Sequence, residues 1–156
     1  GNKQLRVGKK FSLSGWLIFD GIVLIIIISV ATLRFTHAGT NYTFMRTPDQ
    51  MKGGSLGRSV VTGDYRGLIS NGIHAEASTT VTTAELAGST QICAQMHVVS
   101  KDTFVDVQLN GHYANKFANQ AGDVTVCVPL AGDMTGGTIY AGTSGNANVY
   151  SIYGAK

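Results

Sequence analysis

Apolar and polar positions along the chain follow two regimes. Residues 11–33 run for 23 positions with a single charge, Asp20. A helix of that length, rising about 1.5 Å per residue, would cross a hydrocarbon core of roughly 30 Å. From Ser78 onward the pattern is that of short strands. "STTVTTAEL" is Thr-rich and β-branched and predicts a strand, although Thr82 and Glu85 also have the spacing of a capping box that would open a helix. "GSTQICAQMHVVS" (residues 88–100) puts Ile92, Met96 and Val99 at i, i+4 and i+7. This predicts a short amphipathic helix, with an alternating strand as the rival. "TFVDVQLNG" alternates and ends on Asn110-Gly111, a strand followed by a tight turn. "DVTVCVPL", "GGTIYAG" and "ANVYSIYG" predict three more strands. Between the regimes, Pro48 and Gly53-Gly54 interrupt any long helix over residues 38–58. "VVTGDYRGLISNGI" (residues 60–73) has the look of a helix end, a Gly-rich turn and a short apolar turn. No internal repeat is visible.

Composition sharpens this picture. The chain of 156 residues is long enough for one ordinary domain, and 44% of it is apolar, enough to bury a core. Twenty glycines against two prolines suit a loop-rich β domain better than a helical bundle. The net charge of +3 is local: four of the twelve cations (Lys3, Arg6, Lys9 and Lys10) precede Gly15 with no acid among them. The remainder is close to neutral, so no nucleic-acid footprint is predicted. A basic start before an apolar span places the N-terminus in the cytoplasm and the larger C-terminal part outside. No small-residue cleavage site follows the span, so an anchor that stays is expected rather than a secretory signal.

Candidate chemistry is sparse. Cys93 and Cys127 are the only cysteines. In an oxidising compartment they would pair as a disulfide, and two buried thiols are the alternative. Neither they nor the scattered histidines (His37, His74, His97 and His112) have metal-ligand spacing, and no cofactor is predicted. Asp102 and Asp106 are four apart on a turn-to-strand region, poor ground for a paired-carboxylate hydrolase. There is no G-x-S-x-G, and the Gly-rich residues 142–148 lack the Lys of a phosphate loop. No enzyme is expected. Tyr140, Tyr150 and Tyr153 on the last strands offer a face for sugar or protein, with core packing or an intersubunit contact the blander use.

Asp20 is the feature that needs a reason, because a carboxylate inside a membrane span is costly. Cleavage after Gly15 would make Trp16 the first residue, with a free or methylated amine, and Asp20 the fifth. An amine from a neighbouring subunit would then neutralise Asp20 and set axial register. A basic leader ending in Gly15, an apolar start at Trp16 and an acid five positions in resemble a type IV prepilin. A first residue other than Phe is similar to the type IVb branch. "GDYRGL" (residues 63–68) resembles the turn after the long pilin helix. "ICAQM" and "FVDVQLNG" resemble the cysteine-bearing helix and the strand after it, with Cys127 closing a C-terminal disulfide loop. Asp in place of the usual Glu, and Gly21 after it, depart from the pattern.

The resemblance implies an α+β fold: a long N-terminal transmembrane helix, then a small head with an antiparallel sheet and one disulfide. The expected divisions are a leader (1–15), a transmembrane and filament-core helix with its extension (16–59) and an extracytoplasmic head (60–156). The implied function is a structural pilin, polymerising into a helical filament for adhesion, aggregation or conjugative contact. Its implied partners are copies of itself, the prepilin peptidase (processing at Gly15 and Trp16) and the assembly machinery. Its implied location is the inner membrane as precursor, then the extracellular filament. The alternative expectation is an uncleaved single-pass protein with an extracytoplasmic β-rich binding domain in an envelope complex or virion.

Overall fold

Strands account for nearly all regular structure in the computed structural model, which describes residues 41–132 and 135–156. In chain order these are β1 (Tyr42–Arg46), β2 (Lys52–Gly53), β3 (Arg58–Thr62), β4 (Tyr65–Ile69) and β5 (Ala75–Val81). A single helical turn, α1 (Thr83–Leu86), precedes β6 (Gln91–Val98), β7 (Thr103–Leu109), β8 (His112–Ala118), β9 (Gly122–Pro129), β10 (Gly137–Thr143) and β11 (Asn146–Ala155). They form two antiparallel sheets. One runs β3-β4-β11-β6-β9, with β1 also paired to β11; the other runs β2-β5-β10-β7-β8. Only β3–β4 and β7–β8 are hairpins within a sheet. The other links between successive strands pass from one sheet to the other.

Period-two alternation builds the core between the sheets. Ile92, Ala94, Met96 and Val98 of β6 all point inward and are buried, as are Val105, Val107 and Leu109 of β7 and Ile139 and Ala141 of β10. Each large aliphatic side chain so buried contributes about 1.5–3 kcal/mol. Asn110 and Gly111 both take positive φ (49° and 84°), as a two-residue hairpin turn needs, and Gly111 does so without a Cβ penalty. Thr82 caps α1 by accepting from the Glu85 amide at 3.1 Å, while the Glu85 carboxylate accepts from the Thr82 amide.

Several expectations are corrected here. Residues 88–100 are not a helix: Gln91–Val98 is the strand β6. Ile92 and Met96 do recur at helical spacing, but Ala94 and Val98 lie between and beyond them on the same buried face, which only a strand allows. Residues 60–73 are not a helix end and loop: "GDYRGL" turns the β3–β4 hairpin, with Gly63 at positive φ, and continues as β4. Residues 42–53, expected as helix extension, supply β1 and β2. The α+β class is therefore replaced by an all-β sandwich, and the elements that made the head resemble a type IVb pilin are absent. No helix among the described residues is long and apolar enough to cross a membrane. The inner-membrane precursor and pilus filament are thus not supported, nor is the single-pass alternative. The span at residues 11–33, with Gly15, Trp16 and Asp20, lies outside the described residues.

Candidate functional site

The outer face of the five-stranded sheet carries the most concentrated set of exposed aromatic and hydrogen-bonding groups. Cross-strand register fixes what lies on it. Lys52, Ser78, Tyr140, Gln108 and Tyr113 form one continuous row over β2, β5, β10, β7 and β8. The neighbouring row is Glu76, Gly142, Asp106 and Asn115. One further step along, Phe104 faces Phe117. Residues paired across antiparallel strands share a face, and the inward partners of these strands are the buried core, so both rows face away from it.

Three aromatic rings on this face remain open to solvent: Phe104 is 46% exposed, and Tyr113 and Phe117 are each 55% exposed. Phe104 and Phe117 sit 4.9 Å apart, tilted by 57°. Phe104 is fixed at both backbone groups, its amide donating to Ser144 Oγ at 2.9 Å and its carbonyl accepting from the Ser144 amide at 3.0 Å. The Asn115 amide donates to the Tyr113 hydroxyl at 3.2 Å. The Gln108 side chain has no hydrogen-bond partner among the described residues and stands between Tyr140 and Tyr113.

The acidic end of the face is closed over. Asp106 is only 5% exposed and Glu76 7%. His74, at the end of the turn that leads from β4 to β5, lays its ring over Gly142. A Cβ on that glycine would lie 2.2 Å from His74 Nε2 and 3.0 Å from Asp106 Oδ1, so glycine is required by close approach rather than by its dihedrals. His74 Nε2 stands 3.5 Å from Asp106 Oδ2. Asn71 holds the turn, its side-chain oxygen accepting from the Ile73 and His74 amides at 3.0 and 3.1 Å. Burial pushes the Asp106 carboxyl above its ordinary value; His74 opposes this and Glu76 adds to it.

A carboxyl whose folded pKa is raised favours the fold while protonated. That contribution is whole below the unfolded value, near 3.8, and is lost as pH rises through the folded value. Asp106→Asn should therefore raise the melting temperature by a few degrees at pH 7 and leave it nearly unchanged at pH 3. A drop at pH 7 would show that the His74 contact outweighs desolvation.

The residues singled out from sequence are scattered. Gly15, Trp16 and Asp20 lie outside the described residues. Cys93 and Cys127 are joined by a disulfide on the outer face of the other sheet. Of the three tyrosines, only Tyr140 is on the aromatic face. Tyr150 lies on the opposite sheet beside Tyr65. Tyr153 is buried next to Cys93 with Tyr42 edge-on at 5.0 Å. Burial, then Tyr42, raises the Tyr153 phenol above its usual value. Sequence reasoning missed Phe104, Tyr113 and Phe117. The signal was "HYANKFA" itself, which alternates aromatic with polar or small residues directly after an Asn-Gly turn. Among the described residues no group of His, Cys, Asp and Glu is arranged to hold a metal ion.

No known protein family matches the sequence. No curated protein matches it either. Solved structures do align with it. A low-affinity xylan-binding module from the xylanolytic gut symbiont Roseburia intestinalis aligns with a TM-score of 0.51 and 11% identity, over 72% of this chain and 95% of that one. A family 6 carbohydrate-binding module aligns at 0.48 with 13% identity, over 72% and 93%. A mannan-recognising carbohydrate-binding module aligns at 0.48 with 8% identity, over 76% and 99%. At such identities the likeness shows the fold alone, and it is the first alignment that carries it. The shared fold is an all-β one, which overturns the pilin reading a second time.

Proposed function

We propose that residues 41–156 form a non-catalytic glycan-binding module whose site is the outer face of the five-stranded sheet. The observation that carries this reading is the set of three exposed rings, Phe104, Tyr113 and Phe117, in register with unsatisfied or solvent-facing amides. A pyranose has an apolar face of C–H groups and a rim of hydroxyls. The C–H groups carry slight positive charge and pack against the negative face of an aromatic ring. Hydroxyls both donate and accept, and so do the amides of Gln108 and Asn115 and the hydroxyl of Tyr140. A solvent-open sheet suits an extended chain that runs across strands and enters from either end. The fold shared with a xylan-binding module supports the same chemistry.

The test is affinity electrophoresis of the full chain through gels containing xylan, mannan or mixed-linkage β-glucan. Calorimetry with xylohexaose and mannohexaose then gives affinity and stoichiometry. Retardation by at least one polysaccharide is expected. Tyr113→Ala combined with Phe117→Ala should weaken that binding by about tenfold or more, or ~1.4 kcal/mol, without altering the melting temperature by more than a few degrees. Absence of retardation on all three matrices would refute the glycan reading.

A further inference from the structure

The six-stranded sheet presents its own polar and aromatic platform on the opposite side of the sandwich. We propose that this face is a second glycan-binding site, so that one chain holds two glycan strands at once. The inference rests on the glycan reading of the first face and adds to it a location and a valency.

The platform is built by register. Gly67, Asn148, His97 and Asp123 form a row over β4, β11, β6 and β9. Their neighbours along the strands, Leu68, Val149, Met96 and Val98, are buried in the core, so the row faces solvent. Beside it stand Tyr65 and Tyr150, ring centroids 6.4 Å apart and nearly perpendicular at 85°. Tyr150 owes its place to the register shift between Val149 and Ser151, which inserts one extra residue into β11. The bulge sets a second ring next to Tyr65 while Ile152 resumes the inward pattern.

Three details favour a ligand over simple surface packing. The two rings meet edge to face, and both stay half-exposed on the sheet surface. Gly67 places no side chain between Tyr65 and Asn148: a Cβ there would lie 3.7 Å from Tyr65 Cε2 and 3.5 Å from Asn148 Oδ1. Neither the Asn148 nor the Gln95 amide has a hydrogen-bond partner among the described residues, whereas His97 Nδ1 is held by Asp123 Oδ1 at 2.7 Å. A fixed imidazole, two uncommitted amides and a ring pair match the hydroxyl rim and C–H face of a neutral sugar.

Calorimetry of the full chain with xylohexaose and mannohexaose tests this directly. The expected result is two equivalents bound per chain, and cross-linking of the matching soluble polysaccharide into a precipitate. Tyr65→Ala with Tyr150→Ala should reduce the stoichiometry from two to one and abolish cross-linking, with the remaining affinity unchanged. Tyr113→Ala with Phe117→Ala should remove the other equivalent. Gln95→Ala with Asn148→Ala, which leaves both rings in place, should weaken only the second site, by about tenfold. One equivalent in the unsubstituted chain, or two in the Tyr65/Tyr150 variant, would overturn the second site and leave the first standing. A chain that binds no glycan overturns both.

Discussion

Loss of the Cys93–Cys127 disulfide is expected to destabilise the sandwich by about 3–4 kcal/mol, the chain-entropy value for a loop of this size. The two cysteines are 34 residues apart in sequence and directly opposite in register, with Cα atoms 4.0 Å apart. They bind β6, the last but one strand of the six-stranded sheet, to β9 at its edge. An edge strand has neighbours on one side only, so its pairing is the first to open. The disulfide also completes a small cluster with Tyr42, Tyr153 and Ala155 that sits apart from the main core. A Cys93→Ser variant would lose the covalent tie and leave that cluster loosely packed. The melting temperature should fall by on the order of 10 °C, and the unsubstituted chain should fall likewise under a reducing agent. Identical melting with and without reductant would show that the link contributes nothing to the fold.

Arg66→Ala should cost about 3 kcal/mol through a different mechanism. Arg66 is on β4 with its side chain turned inward, and it is only 8% exposed. Its guanidinium spreads over three acceptors: the Pro48 carbonyl at 3.3 Å, Ser59 Oγ at 2.8 Å and the Met51 carbonyl. These lie on the segment joining β1 to β2 and on β3, so one side chain fastens the chain's entry into both sheets. Burial lowers the pKa of the group from its ordinary value. Removing it takes the guanidinium donor from the Met51 carbonyl, a penalty of about 1–3 kcal/mol, and leaves the Pro48 carbonyl with the Met51 amide alone, at 3.3 Å. Lysine should not rescue the loss, because a single ammonium cannot reproduce the planar fork. Urea unfolding of Arg66→Ala and Arg66→Lys checks this; a loss below about 1 kcal/mol in the alanine variant would show that water replaces the guanidinium.

Much of the strand content was legible because its signals are local. Asn110-Gly111 marked a turn that admits two positive-φ residues, and it is the β7–β8 turn. "TFVDVQLNG", "DVTVCVPL", "GGTIYAG" and "ANVYSIYG" predicted strands, and β7, β9, β10 and β11 are found there. The Thr82–Glu85 capping box is present too, directly after β5. The strand β6 was misread because Ile92, Met96 and Val99 satisfy a helical spacing. What decides between the periods is whether Ala94 and Val98 are buried, and alanine is too small to announce that in sequence. β1 to β4 were hidden by glycine, proline and short length, since none of them exceeds five residues.

The pilin resemblance shows the other limit. Its most specific motif, Gly15-Trp16 with Asp20, lies entirely outside the described residues, and the parts said to match within them were a hairpin and a strand. A short motif at one end constrains nothing about a head whose strands pair across dozens of residues.

Taken alone, the sequence determined the local matters: which segments alternate and where the chain turns tightly. Those depend on neighbours within a few positions. Tertiary structure alone decided that Phe104, Tyr113 and Phe117 share an open face with Tyr140, that Tyr150 and Tyr153 are parted from it, and that Glu76 and Asp106 flank Gly142 under His74. Each of these is a matter of sheet order and cross-strand register, and register is set by the packing of the whole core rather than by any residue's immediate neighbours.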